Sequence, residues 1–439
     1  MKKIVIVGGG FAGTNLANTL GKNKDFDITL VDINNYNFFP PLIYQVATAF
    51  IEPSNICYPF RKMFQGKPNV EFHLGSLVMI HQQANIVETD KGSLPYDYLV
   101  LAMGTETNFF GNKNIEEKAY PMKNINDAAA LRNHILTSLE KATITEDPEE
   151  EKKLRNIVIA GGGATGVEVA GMLSDMAHNI ISKDYPNLKK GGGRLYLIDG
   201  SNALLGPMSQ KAQQEALKVL TERGVDVILN TLVKDYNDDI VTLGNDQTIP
   251  TATLVWASGV IARQAPGLPE SSITRGRRIM VDEYNKVAGT DNIFALGDQC
   301  FQTSDANYPN GHPQLAQIAI QQGILLAYNL PRLVEQKTLQ PFQYNNKGSM
   351  AAIAKFKSVV DFPKGGFMKG FMAWITWLLI HLIPIAGSRN KFKLVTNWIV
   401  SFITNDPTLR LILKPEKKDS NHHKHNDDSF LQLNIKNTK

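Results

Sequence analysis

KKIVIVGGGFAGTNLANTLGK, residues 2–22, decides how the rest of the chain is read. Ile4–Val7 form an unbroken β-branched run, which suits a strand buried on both faces. Three glycines end the run, and apolar residues then recur at helical spacing. Strand, glycine turn and helix in that order aim backbone N–H groups at a point where a pyrophosphate binds. Gly8 allows the tight turn, Gly10 lets a phosphate approach and Gly13 lets the helix pack on the strand. DITLVD (27–32) supplies the next strand, and Asp32 at its end can accept hydrogen bonds from a ribose.

The same order returns in RNIVIAGGGATGVEVAGMLSDMA (155–177), with Gly161, Gly163 and Gly166, and in GRLYLID (193–199), which ends in Asp199. Gly8 and Gly161 lie 153 residues apart, the spacing of an internal repeat. The expected fold class is α/β with two Rossmann-like dinucleotide-binding domains. A carboxylate at Asp199 suits a free 2′-hydroxyl and repels a 2′-phosphate. GSNALLG (200–206) has no basic residue to hold that phosphate, so NADH is favoured over NADPH. VEFHLGSLVMI (70–80), NIVETD (85–90) and YDYLVLAMG (96–104) read as short strands, the last closing at Gly104. INDAAALRNHILTSLEKA (125–142) reads as a helix with Asn126 as its N-cap, and TEDPEEEKK (145–153) as a charged surface link. Two further strand-turns, TLVWASGV (253–260) with Gly259 and NIFALGDQC (292–300) with Gly297 and Asp298, complete the pattern.

The 439 residues exceed one hydrophobic core, so two or three domains are expected. A net charge of +4 does not point to nucleic acid, and its distribution says more. From Gln340 onward there are 15 Lys and Arg against 6 Asp and Glu, so the basic excess lies beside the most apolar segment of the chain. That arrangement suits an anionic lipid surface. Cys57 and Cys300 form neither a CxxC pair nor a metal spacing, and two reduced thiols are expected. His422, His423 and His425 fall in a polar tail after about Lys414 that reads as disordered and solvated, and no metal site is expected. The opening MKK and its short apolar run lack the length and cleavage site of a signal peptide.

YDYLVLAMGT and NIFALGDQC, with the two glycine loops, resemble the paired motifs of the two-dinucleotide-binding-domain flavoproteins. That resemblance implies FAD in the first domain, on Gly8, Gly10, Gly13, Asp32, Gly104, Gly297 and Asp298. It implies NADH in the second, on Gly161, Gly163, Gly166, Glu168, Asp199 and Gly259. Disulfide substrates and sulfide oxidation both call for paired redox cysteines, which this chain does not offer. The resemblance narrows at NYNFFPPLIYQVATAF (35–50), PQLAQIAIQQG (313–323) and KGSMAAIAKFKSVV followed by GFMAWITWLLIHLIPIAGSRNKF (347–392). These are similar to the type II, non-pumping NADH:quinone oxidoreductases over about residues 3–413. Ala12, where a further glycine is common in the family, and Asp199, where a glutamate is common, are departures in detail.

Read from the residues, Pro313 can start a helix on which Gln317 and Gln321 are i and i+4 neighbours. Their amides offer donors and acceptors without titrating, which suits two quinone carbonyls, although the residues alone favour a plain polar helix face. The resemblance matches both to the family's quinone-site glutamines. It matches Glu168 to a glutamate near nicotinamide and flavin, with a proposed part in proton delivery. By position alone Glu168 falls in the first helical turn, where a carboxylate is favoured by the helix dipole. Lys355 and Lys357 could line an acceptor tunnel or be solvated charges.

GFMAWITWLLIHLIPIAG (370–387) would span about 27 Å as a helix, the lower limit for a bilayer core. His381 and Pro384 weaken a crossing. Phe371, Trp374, Ile375, Leu378 and Leu382 share a helical face, and NKFKLVTNWIVSFIT (390–404) puts Phe392, Val395, Ile399 and Phe402 on another. Two amphipathic helices, with Phe371, Trp374, Trp377 and Trp398 and flanking Arg389, Lys391 and Lys393 at the lipid, read as monotopic docking. The implied domains are 1–115 and 266–338 for FAD, 116–154 as connector, 155–265 for NADH, 339–415 for docking and 416–439 as tail. The expected protein is a homodimer on the cytoplasmic face of a bacterial inner membrane that reduces a membrane quinone with NADH. It needs no nucleic acid and shows no pumping machinery. A sulfide- or ferredoxin-linked reductase, or a flavin-bound sensor that grips the membrane only when reduced, is the alternative.

Overall fold

The computed structural model describes residues 1–188, 192–404 and 410–413. Its frame is two parallel five-stranded sheets of the same design. The first runs Ile293–Ala295, Tyr98–Leu101, Lys2–Val7, Phe26–Asp32, Val70–Leu74. The second runs Tyr120–Pro121, Thr253–Trp256, Ile157–Ala160, Leu195–Ile198, Val225–Ile228. In each, the central strand carries the glycine loop, and the chain leaves it in opposite directions. That is the switch point where open α/β sheets bind ligands. Ile4, Ile6, Val158 and Ile159 are completely buried, as strands covered on both faces require.

The repeat extends further than the glycine loops. Each unit adds an antiparallel three-stranded sheet: 77–81, 86–89 and 92–95 in the first, 233–237, 240–243 and 248–250 in the second. The strand Ile293–Ala295 returns to the first sheet, so that sheet is built from chain on both sides of the second unit.

Several local readings need correction. Asn124, not Asn126, caps the helix Ile125–Ile144; its side chain accepts from the Asp127 N–H, and the Asp127 carboxylate accepts from the Asn124 N–H, a reciprocal capping box. The charged link contains a helix, Pro148–Arg155, capped by Asp147, with acids first and bases last in accord with the helix dipole. The helix bearing the two glutamines starts at Ala316 rather than Pro313.

After this helix, residues 344–348 run back along its surface. A three-stranded antiparallel sheet follows (Ser349–Ala354, Lys357–Asp361, Phe367–Lys369), and then the helices Gly370–Leu382 and Ser388–Thr404. The helix Ala164–Met176 packs against Ser349–Ala354 so closely that a Cβ at Gly171 would overlap the Ile353 carbonyl oxygen. Only glycine permits this backbone approach.

The two C-terminal helices turn their tryptophans inward, which corrects the assignment of Trp374, Trp377 and Trp398 to the lipid. Trp377 is 1% exposed and Trp398 4%, and Trp374 is buried too. Trp377 stacks on His381, whose ring meets Phe39 edge-on, and Phe39 meets Phe11 beside the first glycine loop. The indole N–H of Trp398 donates to Gln45 Oε1 at 2.9 Å. On the second helix the polar Asn390 and Asn397 also face inward, onto the Cys57 carbonyl and Asn55 Oδ1. The outward face is apolar: Phe371, Ile383, Phe392, Ile399, Val400 and Ile403 are exposed. Among the described residues no helix is long and apolar enough to cross a membrane.

Candidate active site

Both glycine loops have the same construction. Gly8 and Gly161 take φ near +111° and +112°, and a Cβ at Gly13 or Gly166 would overlap the carbonyl oxygen of Gly8 or Gly161. Gly10 and Gly163 have open space where a Cβ would point, and no side chain caps the helices they precede. The first-turn N–H groups of two helices therefore face unfilled room, the arrangement a pyrophosphate needs. Asp32 Oδ2 accepts from the Gly9 N–H at 2.7 Å and Oδ1 from the Asn34 N–H at 2.8 Å. In the repeat, Asp199 accepts from Gly162 at 2.5 Å and from Ser201 at 2.6 Å. Each carboxylate is held at its loop with lone pairs left for a ribose. Burial raises the pKa of Asp32, and the hydrogen bonds from Asn34 and Gly9 oppose that rise.

The turn bearing Gly297 (φ +68°) and Asp298 is clamped to the turn bearing Gly104. Gln299 accepts from the Met103 N–H at 3.1 Å and donates to the Arg263 carbonyl at 2.9 Å. The Gly297 N–H donates to Gln322 Oε1 at 2.7 Å. Lys123 is the residue that sequence reasoning missed. Its ammonium donates to the Thr105 hydroxyl and lies in the field of Asp298. Burial lowers its pKa while Asp298 opposes this, and burial raises Asp298 while Lys123 and Arg278 oppose that. A lone lysine in the apolar stretch YPMKN (120–124) was the available signal. Gly259 sits at the end of the second domain's strand beside the Phe110 ring, and its carbonyl accepts from the Asn108 N–H.

Glu168 is the fifth residue of its helix and so lies beyond the first turn, which removes the dipole explanation for it. Its Oε1 accepts from the Ala352 N–H at 3.3 Å, and burial pushes its pKa up to about 8. The carboxyl is therefore protonated at neutral pH. Tyr44, fully enclosed, feels the Glu168 carboxylate: burial and then that charge raise its pKa well above the usual phenol value. The Tyr44 hydroxyl accepts from Gln45 Nε2 at 3.1 Å, and Gln45 Oε1 accepts from Trp398.

Gln317 and Gln321 do neighbour each other on one helix face, and both are engaged by residues 344–348. Gln317 Oε1 accepts from the Tyr344 hydroxyl and the Lys347 N–H, each at 3.1 Å, and Nε2 donates to the Gly348 carbonyl at 2.9 Å. Gln321 exchanges two 3.0 Å bonds with the backbone of Asn345. Residues 344–354 thus touch Gln317, Gln321 and Glu168, although these come from two different domains.

The remaining candidates separate. Lys355 Nζ donates to the Phe402 carbonyl at 2.8 Å and lies over the Phe356 and Phe402 rings, clamping the end of the second C-terminal helix. Lys357 is exposed. Cys57 and Cys300 belong to different hydrophobic clusters, and burial pushes their thiols up to about 12 and about 11. Both are free thiols. No group of three or more metal-ligating side chains exists among the described residues. His422, His423 and His425 lie outside the described residues.

Residues 2–323 match the family model described as pyridine nucleotide-disulphide oxidoreductase, and residues 346–405 match the NDH2 C-terminal domain. The chain is 33% identical over 417 residues to the type II NADH:quinone oxidoreductase Ndh of Mycobacterium tuberculosis, covering 92% of this chain and 88% of that protein. It is 29% identical over 391 residues to the type II NADH:quinone oxidoreductase of Haemophilus influenzae, covering 82% and 86%. The fold superposes on the structure of NDH2 from Plasmodium falciparum in complex with NADH with a TM-score of 0.84, at 22% identity, over 94% of this chain and 100% of that one.

Proposed function

Since the chain belongs to the type II NADH:quinone oxidoreductase family, we propose that it takes a hydride from NADH onto FAD and reduces a membrane quinone to quinol without pumping protons. When bound, FAD supplies the two-electron acceptance and delivery. The chain supplies everything else. Gly8, Gly10 and Gly13 would hold the FAD pyrophosphate and Asp32 its ribose, with Gly104, Gly297, Asp298 and Lys123 completing the residues that would hold the cofactor. Gly161, Gly163, Gly166 and Gly259 receive NADH, with Asp199 selecting the free 2′-hydroxyl. Residues 1–115 with 266–338 and residues 155–265 are the corresponding domains, joined by 116–154.

Gln317 and Gln321 orient the quinone. Glu168, neutral at pH 7, holds a proton where the reduced quinone needs one. The observation that carries this reading is the convergence of these three side chains on residues 344–354. From that segment the chain runs on to the helices whose outer faces expose Phe371, Phe392 and Ile403. Those faces, ringed by the exposed Arg389 and Lys393, lie in the headgroup region of the bilayer, the cytoplasmic face of a bacterial inner membrane in our reading. Pairing with a second copy belongs to the same reading and is checked by mass measurement in detergent.

Anaerobic stopped-flow absorbance of the FAD-loaded protein tests the cycle. Bleaching of the flavin by NADH, rapid recovery with a short-chain quinone and sustained turnover are expected. Bleaching without recovery would discard the glutamine pair as the acceptor site for that quinone and favour the sensor alternative.

A further inference from the structure

The two glutamine amides are not free to turn. Backbone groups have unambiguous polarity, so they settle which end of each amide is oxygen. The Lys347 and Asn345 N–H groups donate to Gln317 Oε1 and Gln321 Oε1, and the Gly348 and Asn345 carbonyls accept from the two Nε2 atoms. Both lone pairs of Gln317 Oε1 are taken, one by Lys347 and one by Tyr344. Each Nε2 spends one N–H on residues 344–348, the strap, and keeps one.

The strap is anchored by a buried Asp305–His312 hydrogen bond outside the site. Asp305 and His312 have side chains 2% and 1% exposed, with His312 Nε2 and Asp305 Oδ2 3.0 Å apart. The same Oδ2 accepts from the Tyr344 N–H at 3.0 Å, and Oδ1 accepts from the Asn307 N–H at 3.0 Å. Burial would raise the Asp305 pKa, but His312, Tyr344 and Asn307 outweigh it and the carboxyl is held below its usual range. An ionised Asp305 accepts only, so the shared proton sits on His312 Nε2. Tyr308 and Phe342 pack around the His312 ring at 5.1 and 5.3 Å between centroids. The His312 carbonyl accepts from Arg278 at 2.9 Å, and Arg278 also donates to the Cys300 carbonyl at the flavin-side turn. His312 lies four residues before the helix that carries both glutamines, and Asp305 holds the strap that grips them.

We propose that Asp305, His312 and Tyr344 are positioning residues that hold the Gln317 and Gln321 amides in one orientation, so that each presents its remaining N–H to a quinone oxygen. This rests on the reading that the glutamines form the acceptor site, and it replaces the sequence expectation of amides serving as both donor and acceptor. A quinone oxygen gains negative charge as electrons arrive, and donors already aimed at it stabilise that charge without reorganising. An amide turned the other way would oppose the charge with its own oxygen. Tyr344 stays a donor throughout the working pH range, because burial pushes its phenol up to about 12.

The test uses the FAD-loaded full chain and a short-chain quinone, with the two half-reactions followed separately. Tyr344→Phe keeps the ring and removes one donor to Gln317 Oε1. It should lower kcat/KM for quinone about 10-fold, the loss expected for one hydrogen bond. Flavin reduction by NADH should stay within about twofold of wild type, which a general structural defect would not spare. Asp305→Ala should lose at least as much, and Asp305→Asn, which can still accept from Tyr344 and His312, should recover most of it. Gln317→Leu runs in parallel. If Gln317→Leu impairs quinone reduction while Tyr344→Phe and Asp305→Ala stay within about twofold of wild type, the positioning inference falls and the acceptor site stands. If Gln317→Leu is also without effect, the acceptor-site reading falls with it. Equal losses in both half-reactions for Tyr344→Phe overturn the inference as well.

Discussion

Glu168→Gln exchanges a carboxyl held neutral by its surroundings for an amide of nearly the same shape. In the folded protein Glu168 keeps its proton up to about pH 8, whereas the unfolded chain releases it above the ordinary value of 4.5. Between those values the unfolded state binds fewer protons, so stability falls as pH rises, by about 1.36 kcal/mol per pH unit. The full interval corresponds to about 5 kcal/mol. Glu168 keeps some exposure, and solvent screening reduces this to about 2–4 kcal/mol. Glutamine cannot ionise and lacks the slope, while its Oε1 can still accept from Ala352. For a chain of this length the gain is a rise of about 2–4 °C in the melting midpoint. Thermal melts of FAD-loaded wild type and Glu168→Gln from pH 5 to pH 9 are the assay. The variants should agree near pH 5, and the glutamine form should melt higher above pH 8. A midpoint difference that stays constant across the range refutes the argument. In turnover the same substitution should slow quinone-dependent flavin reoxidation about 100-fold at pH 7, the usual worth of a positioned acid. Wild-type turnover should decline above about pH 8, where Glu168 loses its proton.

His381 carries the opposite sign. Burial pushes its pKa down to about 4, so the unfolded chain gains a proton near pH 6.5 that the fold refuses. Stability should therefore drop as pH falls from 6.5 to 4, by up to about 3 kcal/mol, and His381→Gln should flatten that drop in acid melts. Gly13→Ala places a Cβ against the Gly8 carbonyl oxygen, and the purified variant should lose most of its visible flavin absorbance relative to protein. Phe392→Asp combined with Ile403→Asp, at positions 75% and 76% exposed, should cut binding to anionic vesicles about 10-fold or more in a co-sedimentation assay. Turnover with a water-soluble quinone should persist, and unchanged vesicle binding would remove these faces from the docking surface.

The nucleotide frame was legible because its signals are local. A buried parallel strand demands a β-branched run, a phosphate turn demands glycine at set offsets, and both requirements act within about 30 residues. Gly8 and Gly161 could be paired by eye for that reason, as could Asp32 and Asp199. Helix ends were less secure, since Asn124 and Asn126 are both sound caps in isolation, and the capping partner Asp127 chose between them. Lys123 carried almost no local signal, because its meaning depends on Asp298, which lies 175 residues away in sequence.

The C-terminal helices show where pattern reading stops. Periodicity identified two amphipathic helices, but it could not say which apolar face meets protein and which meets lipid. Tryptophan suits either environment. Gln45, Tyr44 and the Phe39–His381 contact drew the indoles inward, and Phe, Leu, Ile and Val side chains were left outside. The glutamine pair follows the same logic. Spacing brought Gln317 and Gln321 to one face, but an amide has two ends of similar shape and opposite polarity. Which end is left for a ligand depends on the backbone of residues 345–348, and the start of that segment is held by the buried Asp305–His312 pair. Local rules act along the chain, whereas the orientation of a side chain is settled by partners that only folding brings within hydrogen-bonding distance.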